Sequence, residues 1–366
     1  MTFDAERFAC IQLARTPGIG PLTYSKFLAT YGSGTEAIRA LPERAARAGR
    51  REIRLIALKQ VEQEIQKTEK FGARILLSSD PDYPALLKAV APAPPLITVK
   101  GHLDLVNRPC IAMVGARNAS AAGMKLARTI AYDLGASGNT VVSGLARGID
   151  TAAHHGALET GTIAVIAGGI DNIYPAQNRD LYEQISERGL IVSESIFGHE
   201  PKARDFPRRN RIITGLSRAV IVVEAAQRSG SLISARSALD QGRDVMAVPG
   251  SPLDPRTKGS NGLLKSGATL VESAEDVLDA LADPHDPRQF SLLESESPQD
   301  SEQVLENDTE AAEALILKSL SPVPTSITDI SAATGLSYSI CSSALVELEL
   351  SGLANSLPGG LVQRVL

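Results

Sequence analysis

The segment TVVSGLARGIDTAAHHGALETGTIAVIAGG (residues 140–169) contains one complete pattern of two strand-like runs with a helical stretch between them. A short β-rich run, TVVS, leads into a glycine-rich loop, and a helical stretch separates it from a second apolar run, TIAVIA. Short apolar runs of this kind are typical of parallel strands, because helices cover both faces of a parallel sheet. The segment therefore predicts a strand, a loop at its carboxyl end, a helix and a second strand.

The same alternation continues on both sides of this segment. Six apolar runs with helical stretches between them predict an α/β fold, a Rossmann-like, doubly wound and mostly parallel sheet. Ligands of such sheets bind beyond the carboxyl ends of the strands. Two earlier runs, RILLS (74–78) and LITVK (96–100), are also strand-like. The six runs are CIAMVG (110–115), TVVSG (140–144), TIAVIAG (162–168), LIVSE (190–194), AVIVVEA (219–225) and DVMAVPG (244–250).

The remaining chain predicts three further parts. Residues 1–70 have helical periodicity, and residues 71–282 comprise the sheet domain. Residues 283–308 are acidic and rich in Ser and Pro, which predicts a flexible linker. Residues 309–366 predict three helices and a hairpin, the plan of a winged-helix domain.

The composition is that of a globular protein whose body suits an anionic partner. The 366 residues are 43% hydrophobic and 22% charged. Residues 1–282 contain 34 basic and 29 acidic residues, whereas residues 283–366 contain 3 and 13. A basic body attracts anions, although a surplus this small is also compatible with scattered surface charge.

Cysteine usage and the first residues predict a cytoplasmic protein without a cofactor. Cys10, Cys110 and Cys341 are too few and too scattered for a disulfide framework, and the histidines have no metal-ligand spacing with them. The start MTFDAERF lacks a basic and an apolar signal region, and no apolar run approaches about 18 residues. We expect reduced thiols, no metal, no export and no membrane span.

The N-terminal part contains the turn PGIG (17–20) between two helical stretches. Its glycines allow a tight turn with bare amides, as in a helix–hairpin–helix phosphate clamp, but a plain helical corner gives the same pattern. The denser basic patch is GRREIR (49–54). The sequence leaves both interpretations of the turn open.

The predicted third helix of the C-terminal domain lacks the basic residues that are typical of a DNA-recognition helix. Residues 337–350 contain two Glu and no Lys or Arg. Phosphate contacts supply much of the affinity for duplex DNA, so this surface favours a protein-contact or regulatory role. DNA binding by this domain remains the alternative.

Ser143, Asp150 and His154 raise the possibility of a hydrolase site. The Gly-x-Ser-x-Gly elbow of esterases is absent, and Asp150 and His154 lie on one helix rather than on separate loops. A carboxylate at a helix start caps backbone N–H groups, so Asp150 suits that role. We expect these residues to shape a phosphate loop, in which Gly144 and Gly148 expose amides and Arg147 adds a cation.

Other strand ends repeat this chemistry. In VGARNAS (114–120), Gly115, Arg117 and Ser120 precede a helix, and RSGS (228–231) offers Ser229, Gly230 and Ser231. The segment DFPRRNRIITGLS (205–217) places Arg208 and Arg211 on one helical face, with Arg209 and Asn210 between them. Together these ends predict a groove for several phosphates in a row.

These motifs resemble the DprA/Smf family of DNA-processing proteins. The resemblance rests on VGARNAS, SGLARGIDTAAHHGAL, AGGIDNIYPAQNRDLY, SESIFGHEPKARDFPRRNRIITGLSRAVIVVEAAQRSGSLISARSALDQGRDVMAVPG and KGSNGLLKSGA, in this order over residues 110–270. It implies a sterile-alpha-motif-like or helix–hairpin–helix domain, an extended Rossmann domain and a winged helix. It also implies binding and protection of incoming single-stranded DNA during natural transformation, loading of the recombinase RecA, and no catalytic turnover.

The resemblance further implies which residues do this. The implied DNA-binding residues are Arg117, Ser120, Ser143, Gly144, Arg147, Asn178, Arg209, Asn210 and Arg211. A homodimer is implied through residues 262–271, with Leu263, Leu264 and Leu270 as apolar candidates. Aromatic residues are only 4% of the chain, so we expect phosphate contacts to outweigh base stacking and affinity to fall steeply with salt.

Two other classes of protein, a nucleotide-processing enzyme and a transcription regulator, share some of these sequence features. A nucleoside monophosphate hydrolase would also use glycine-rich strand ends, but its PGGxGT loop is absent, and the last of the six runs continues as VPGSPLDP. A transcription regulator would use the winged helix to read duplex DNA, and the uncharged third helix argues against that.

Overall fold

A computed structural model describes most of the chain, in two compact units that divide between residues 283 and 284. Within the described ranges, no helix is long and apolar enough to cross a membrane. The described residues are 4–47, 54–282, 305–321, 324–336, 340–341, 344–345, 348, 353–357 and 361–364.

The first unit begins with four helices, α1 (Ala5–Arg15), α2 (Pro21–Tyr31), α3 (Gly34–Arg47) and α4 (Leu58–Lys70). Asp4 caps α1 by accepting hydrogen bonds from the N–H groups of Glu6 and Arg7. The turn between α1 and α2 needs a glycine, because Gly18 has a φ of +87°. Of the basic patch at 49–54, only Arg54 lies among the described residues.

A nine-stranded sheet forms the centre of this unit, in the order β1-β2-β6-β5-β4-β3-β7-β8-β9. All six predicted runs form strands, and neighbours from β6 to β9 pair in parallel. RILLS and LITVK form β1 and β2, which add an antiparallel edge. The strands are β1 (Arg74–Leu77), β2 (Leu96–Gly101), β3 (Cys110–Val114), β4 (Thr140–Ser143), β5 (Thr162–Ile166), β6 (Leu190–Ser193), β7 (Ala219–Val222), β8 (Asp244–Ala247) and β9 (Thr269–Leu270).

Helices cover both faces of this sheet, as the apolar runs predicted. Alternate residues of a strand face opposite sides, so Ile111 and Met113 pack into one core with α6 and α7. Ala112 and Val114 pack into the other core with α9 and α10. The helices are α5 (Ala85–Lys88), α6 (Ala121–Ala136), α7 (Ile149–Ala157), α8 (Arg179–Arg188), α9 (Asp205–Gly215), α10 (Gly230–Asp240), α11 (Lys258–Lys265) and α12 (Ala274–Leu281).

The second unit has the predicted winged-helix plan. It contains α13 (Leu305–Ser319), α14 (Ile327–Thr334) and a three-stranded sheet in the order β10-β12-β11. Its strands are β10 (Thr325–Ser326), β11 (Ala354–Leu357) and β12 (Leu361–Arg364). The described residues between 340 and 348 are helical, as expected for the third helix, and Ile316, Ile330 and Leu345 share its core.

Parts of the C-terminal predictions lie outside the described residues. Much of the third helix and the wing tip at 358–360 belong to these parts, as do residues 283–304 of the expected linker. α13 begins at Leu305, inside the segment that was expected to be linker.

Candidate nucleic-acid interface

An open cleft of about 290 Å³ lies beyond the carboxyl ends of β3, β4 and β7. We call it the strand-end cleft. It brings together residues from several of the sequence motifs, as the parallel sheet predicts. The predicted site residues among those that line it are Gly115, Arg117, Arg209, Asn210, Ser229, Gly230 and Ser231.

The loop after β3 is fixed by a carboxylate from the neighbouring strand end. Ser120 caps α6, since its Oγ accepts the N–H of Gly123 at 2.9 Å. The hydroxyl of Ser120 donates to Glu224, whose other carboxylate oxygen accepts the Ser120 N–H at 2.9 Å. The hydroxyl of Ser120 is therefore occupied in orienting the loop that carries Arg117.

The loop after β4 is held by its own aspartate. Asp150 accepts the N–H groups of Gly144 and Ala146 at 3.1 and 3.3 Å. It is buried, and burial raises the pKa of its carboxyl, while the positive charge of Arg209 opposes this shift. The sequence predicted that backbone amides of this loop bind phosphate. Two of them, those of Gly144 and Ala146, instead donate to the Asp150 carboxylate.

Gly148 is required where this loop meets the loop after β3. Its φ is +79°, and a Cβ at this position would lie 2.3 Å from the carbonyl oxygen of Ala116. The N–H of Ile149 donates to the same carbonyl oxygen at 3.2 Å. The glycine thus permits two strand-end loops to pack directly on each other.

The serine and histidine of the hydrolase hypothesis have separate structural partners. The fully buried Ser143 hydroxyl donates to the carbonyl oxygen of Met113 at 2.6 Å. His154 Nε2 accepts the N–H of Leu145 at 3.3 Å, and its Nδ1 lies 2.8 Å from Thr162 Oγ1. Burial lowers the pKa of His154 to about 3, so the imidazole is neutral at physiological pH.

Arg209 lies beneath the cleft rather than projecting from it. It is 6% exposed, and its Nη1 donates to the carbonyl oxygens of Gly144 and Val165. Burial lowers its pKa to about 10, and the negative charge of Asp150 opposes this shift. A Cβ on Gly144 would lie 2.1 Å from Arg209 Nη1, so this glycine makes room for the guanidinium group.

Asn178 has a similar supporting role. Its Nδ2 donates to the carbonyl oxygen of Leu145 and to the hydroxyl of Thr151, both at 2.9 Å. The side chain is buried and fastens the loop that carries Arg147. Ser143, Asn178 and Arg209 are buried and hydrogen-bonded inside the protein, so they support the loops of the cleft. Their direct contact with DNA stays a prediction.

Arg208 and Arg211 lie on one face of α9, as their spacing predicts. Both bind the carboxylate of Glu194, which accepts from Arg208 Nε at 3.0 Å and from Arg211 Nη2 at 2.6 Å. Arg211 also donates to the carbonyl oxygen of Pro92 at 3.3 Å. Arg211 thus joins α9 to the end of β6 and to the segment before β2.

The exposed surface around the cleft combines cations with aromatic rings. Arg117 and Arg147 are exposed. The guanidinium carbon of Arg117 lies 5.0 Å from the centroid of the Phe206 ring, and this ring lies 5.5 Å from that of Tyr174. Positive charge and aromatic ring faces are therefore adjacent on this surface.

Glu194 and Glu224 were not predicted as site residues. Each lies at the end of a predicted apolar run, in LIVSE and AVIVVEA, just beyond the strand that the run forms, and each is buried. A carboxylate at the end of an apolar run next to arginine-rich and serine-rich loops is the signal that was available. Among the described residues, no group of His, Cys, Asp or Glu could hold a metal ion.

The residues expected at a dimer interface lie at the far end of the sheet. Leu270 is 50% exposed on β9, which is the last strand and pairs with β8 alone. Leu264 is partly buried, and Leu263 packs against the core.

The fold defines a Rossmann-type protein with an open cleft at its strand ends. In chain order, a helical domain precedes the sheet and a winged helix follows it. Family models match all three parts: a DprA-like N-terminal HHH domain over residues 4–66, DNA recombination-mediator protein A over 74–282 and a DprA winged-helix domain over 298–360. The chain belongs to the DprA/Smf family of DNA-processing proteins.

Curated relatives agree with this assignment. Protein Smf of Synechocystis is 38% identical over 82% of this chain and 83% of its own length. Protein Smf of Escherichia coli is 36% identical over 83% and 81%. The DNA processing protein DprA of Streptococcus pneumoniae is 46% identical over 57% and 74%.

Two solved structures are also similar. The X-ray structure of DprA from Streptococcus pneumoniae matches with a TM-score of 0.67 at 38% identity, over 74% of this chain and 97% of that one. A Helicobacter pylori DprA structure, described by its unique single-stranded DNA binding mode, matches with a TM-score of 0.53 at 28% identity. That match covers 57% of this chain and 95% of that one.

Proposed function

We propose that the strand-end cleft binds backbone phosphates of single-stranded DNA. The observation that carries this proposal is the convergence of Arg117, Asn210 and the segment 229–231 on one open cleft. Guanidinium, amide and hydroxyl donors bind phosphate without reading sequence. The single-stranded DNA binding of the Helicobacter pylori relative supports the same choice of ligand.

The composition of the surface around the cleft favours a single strand over a duplex. Phe206 and the half-exposed Tyr174 offer ring faces to bases, and bases can reach such faces when they are unpaired. Phosphate contacts and stacking then act on the same strand.

Fluorescence anisotropy with Arg117→Ala tests this proposal. We expect wild-type protein to bind a labelled single strand more tightly than a duplex of equal length, with affinity that falls between about 50 and 200 mM salt. Arg117→Ala should weaken binding about tenfold, because a charge-assisted contact contributes about 1.5 kcal/mol or more. Arg188→Ala on α8, which removes an exposed arginine before β6, is the matched control.

Two results would overturn the proposal. Wild-type protein that binds neither single strand nor duplex lacks the function. Equal affinities for Arg117→Ala and Arg188→Ala would show that DNA binds elsewhere. Screening nucleoside phosphates as substrates would then test the hydrolase alternative.

We further propose a non-catalytic, cytoplasmic role in which the protein protects single-stranded DNA and loads RecA. The family description as a recombination mediator supports this, and so does the structural use of Ser143 and His154. RecA assembly on DNA coated with single-strand-binding protein should accelerate when this protein is added. No acceleration, or hydrolysis of a nucleoside monophosphate, would contradict the proposal.

We propose that two copies pair through the β9 end of the sheet. The support is the edge strand β9, which exposes Leu270, and the partly buried Leu264 of the preceding helix α11. Sedimentation velocity at micromolar concentration should give twice the mass of the chain. A monomer mass there would contradict the dimer.

A further inference from the structure

A second cleft, of about 450 Å³, lies between the α1–α2 turn and the loop from β6 to α9. We call it the hairpin cleft. One wall is the turn that includes Thr16, Gly18 and Ile19, and the other includes Ser195, Ile196 and His199 together with the start of α9. It thus places the backbone of the N-terminal turn opposite the carboxyl end of β6.

The two clefts meet at the first turns of α9. Arg209 lines both of them. Its Nε is buried and has no hydrogen-bond partner within the described part of the chain. A chain of phosphates that occupies the strand-end cleft therefore reaches the hairpin cleft by crossing one helix start.

The hairpin cleft has cations with unused donors. Arg204 is exposed at the N-cap position of α9. Arg208 has a side chain that is 58% exposed, and its bond to Glu194 uses Nε. Its two terminal nitrogens have no hydrogen-bond partner within the described residues. Both arginines line the hairpin cleft.

The carboxylates in this cleft are already engaged. Glu194 is bound by two arginines, at 2.6 and 3.0 Å. Asp205 lies 2.8 Å from His199 Nε2 and accepts the N–H of Lys202 at 2.8 Å. Their charge is compensated locally, so Arg204 gives the opening of the cleft a positive character.

An arginine fixes the N-terminal helices against the sheet, so the cleft has a defined width. Arg15 at the end of α1 donates to the carbonyl oxygen of Glu194 at 2.7 Å. The same guanidinium pairs with Glu64 of α4 at 2.7 Å, and its side chain is 9% exposed. These contacts of Arg15 hold the two walls of the hairpin cleft in a fixed position relative to each other.

We propose that the DNA strand continues from the strand-end cleft across α9 into the hairpin cleft, where Arg204 and Arg208 bind its next phosphates beside the α1–α2 turn. The N-terminal domain then contributes to the length of DNA bound per protein. This inference rests on the proposed DNA binding, and its ligand is the same single strand.

Oligothymidylates of two lengths test this path in the full-length protein. One of about 4 nucleotides fills the strand-end cleft, and one of about 15 nucleotides reaches both clefts. Arg204→Ala should weaken binding of the longer strand about fivefold and leave the shorter one unchanged. The salt dependence of the longer strand should fall by about 0.7 in log–log slope, as for one lost phosphate contact on a single strand.

Arg204→Lys and Arg188→Ala are the control variants. Lysine retains the charge and should restore most of the affinity, whereas Arg188→Ala removes an exposed charge on a different helix and should have no effect. If Arg204→Ala weakens both lengths equally, or neither, the extended path is wrong. Failure of wild-type protein to bind either length would instead refute the DNA-binding proposal itself.

Discussion

The loop after β4 and the loop after β7 have similar compositions and opposite roles. Both are rich in glycine and polar side chains, in SGLARGID and QRSGS. In the first loop, the buried side chains of Asp150, Asn178 and Arg209 form hydrogen bonds with backbone groups of Gly144 and Leu145. In the second, Gly230 is exposed, nothing would contact a Cβ there, and Ser229 and Ser231 bond each other at 2.7 Å at the cleft.

Glycine-rich loops at strand ends can therefore have two separate roles. The loop after β4 forms the rigid base of the cleft, because buried charged side chains and glycines fix its backbone conformation. The other loops provide the donors at the surface. Substitutions in the base should therefore change stability, and substitutions at the surface should change affinity.

The largest effect is expected from Arg209→Met. It removes the donor of two buried carbonyl oxygens and the cation near buried Asp150, which should cost about 3 kcal/mol of unfolding free energy. Urea denaturation followed by circular dichroism measures this. Arg208→Met, one position earlier and largely exposed, should cost less than about 1 kcal/mol. Equal losses would show that Arg209 is not a structural arginine.

A smaller loss is expected from Gly148→Ala. The left-handed backbone and the close approach to Ala116 should make alanine cost about 2 kcal/mol. Gly230→Ala in the loop after β7 is the matched control, since its φ is ordinary and its surroundings are open. Thermal melts of both variants separate the two loops. A melting temperature for Gly148→Ala equal to that of Gly230→Ala would contradict the assigned packing role.

The smallest effect, over the single unit between about pH 6 and pH 5, concerns the protonation of His154. His154 is neutral in the folded protein because burial lowers its pKa to about 3, while the unfolded chain binds a proton near the ordinary value of 6.5. Its contribution to stability is present above that value and is lost as the pH falls toward about 3, at about 1.4 kcal/mol per pH unit.

Unfolding free energies between about pH 6 and pH 5 measure this slope. His154→Gln should lack it, whereas His155→Gln, which replaces the exposed neighbour, should retain most of it. Parallel slopes for wild type and His154→Gln would show that another group titrates. Single-strand affinity of the folded His154→Gln protein should be unchanged.

The sheet and its helices were predictable because strands that are buried on both faces consist of apolar residues, and such runs are visible in the sequence. The runs from CIAMVG to DVMAVPG are apolar at nearly every position, and all of them form strands of the sheet. The strand β9 was not predicted, since Thr269–Leu270 is a two-residue edge strand with exposed side chains. A strand so short has no period to detect.

The candidate site was predictable as a set of loops but not as individual contacts. Arg208, Arg209 and Arg211 lie within four residues of the sequence, yet Arg209 is buried. Arg208 and Arg211 both pair with Glu194, and of these two Arg208 is the more exposed. Helical phase places Arg208 and Arg211 together, but the depth of Arg209 depends on the space at Gly144, a contact between residues far apart in the chain. A contact between residues so far apart in the chain cannot be predicted from a local sequence pattern.

The two edges of the sheet are unlike, and this limits how copies can assemble. At β1, Arg7 donates to the carbonyl oxygen of Ile75 at 2.6 Å, and Asp80 accepts the N–H of Leu77 at 2.9 Å. These side chains occupy backbone groups that a neighbouring strand would otherwise join, whereas β9 has no such cover among its described contacts. In the proposed dimer, strand addition at β9 would leave the covered β1 edge at both outer ends, which would favour a closed pair over a fibre.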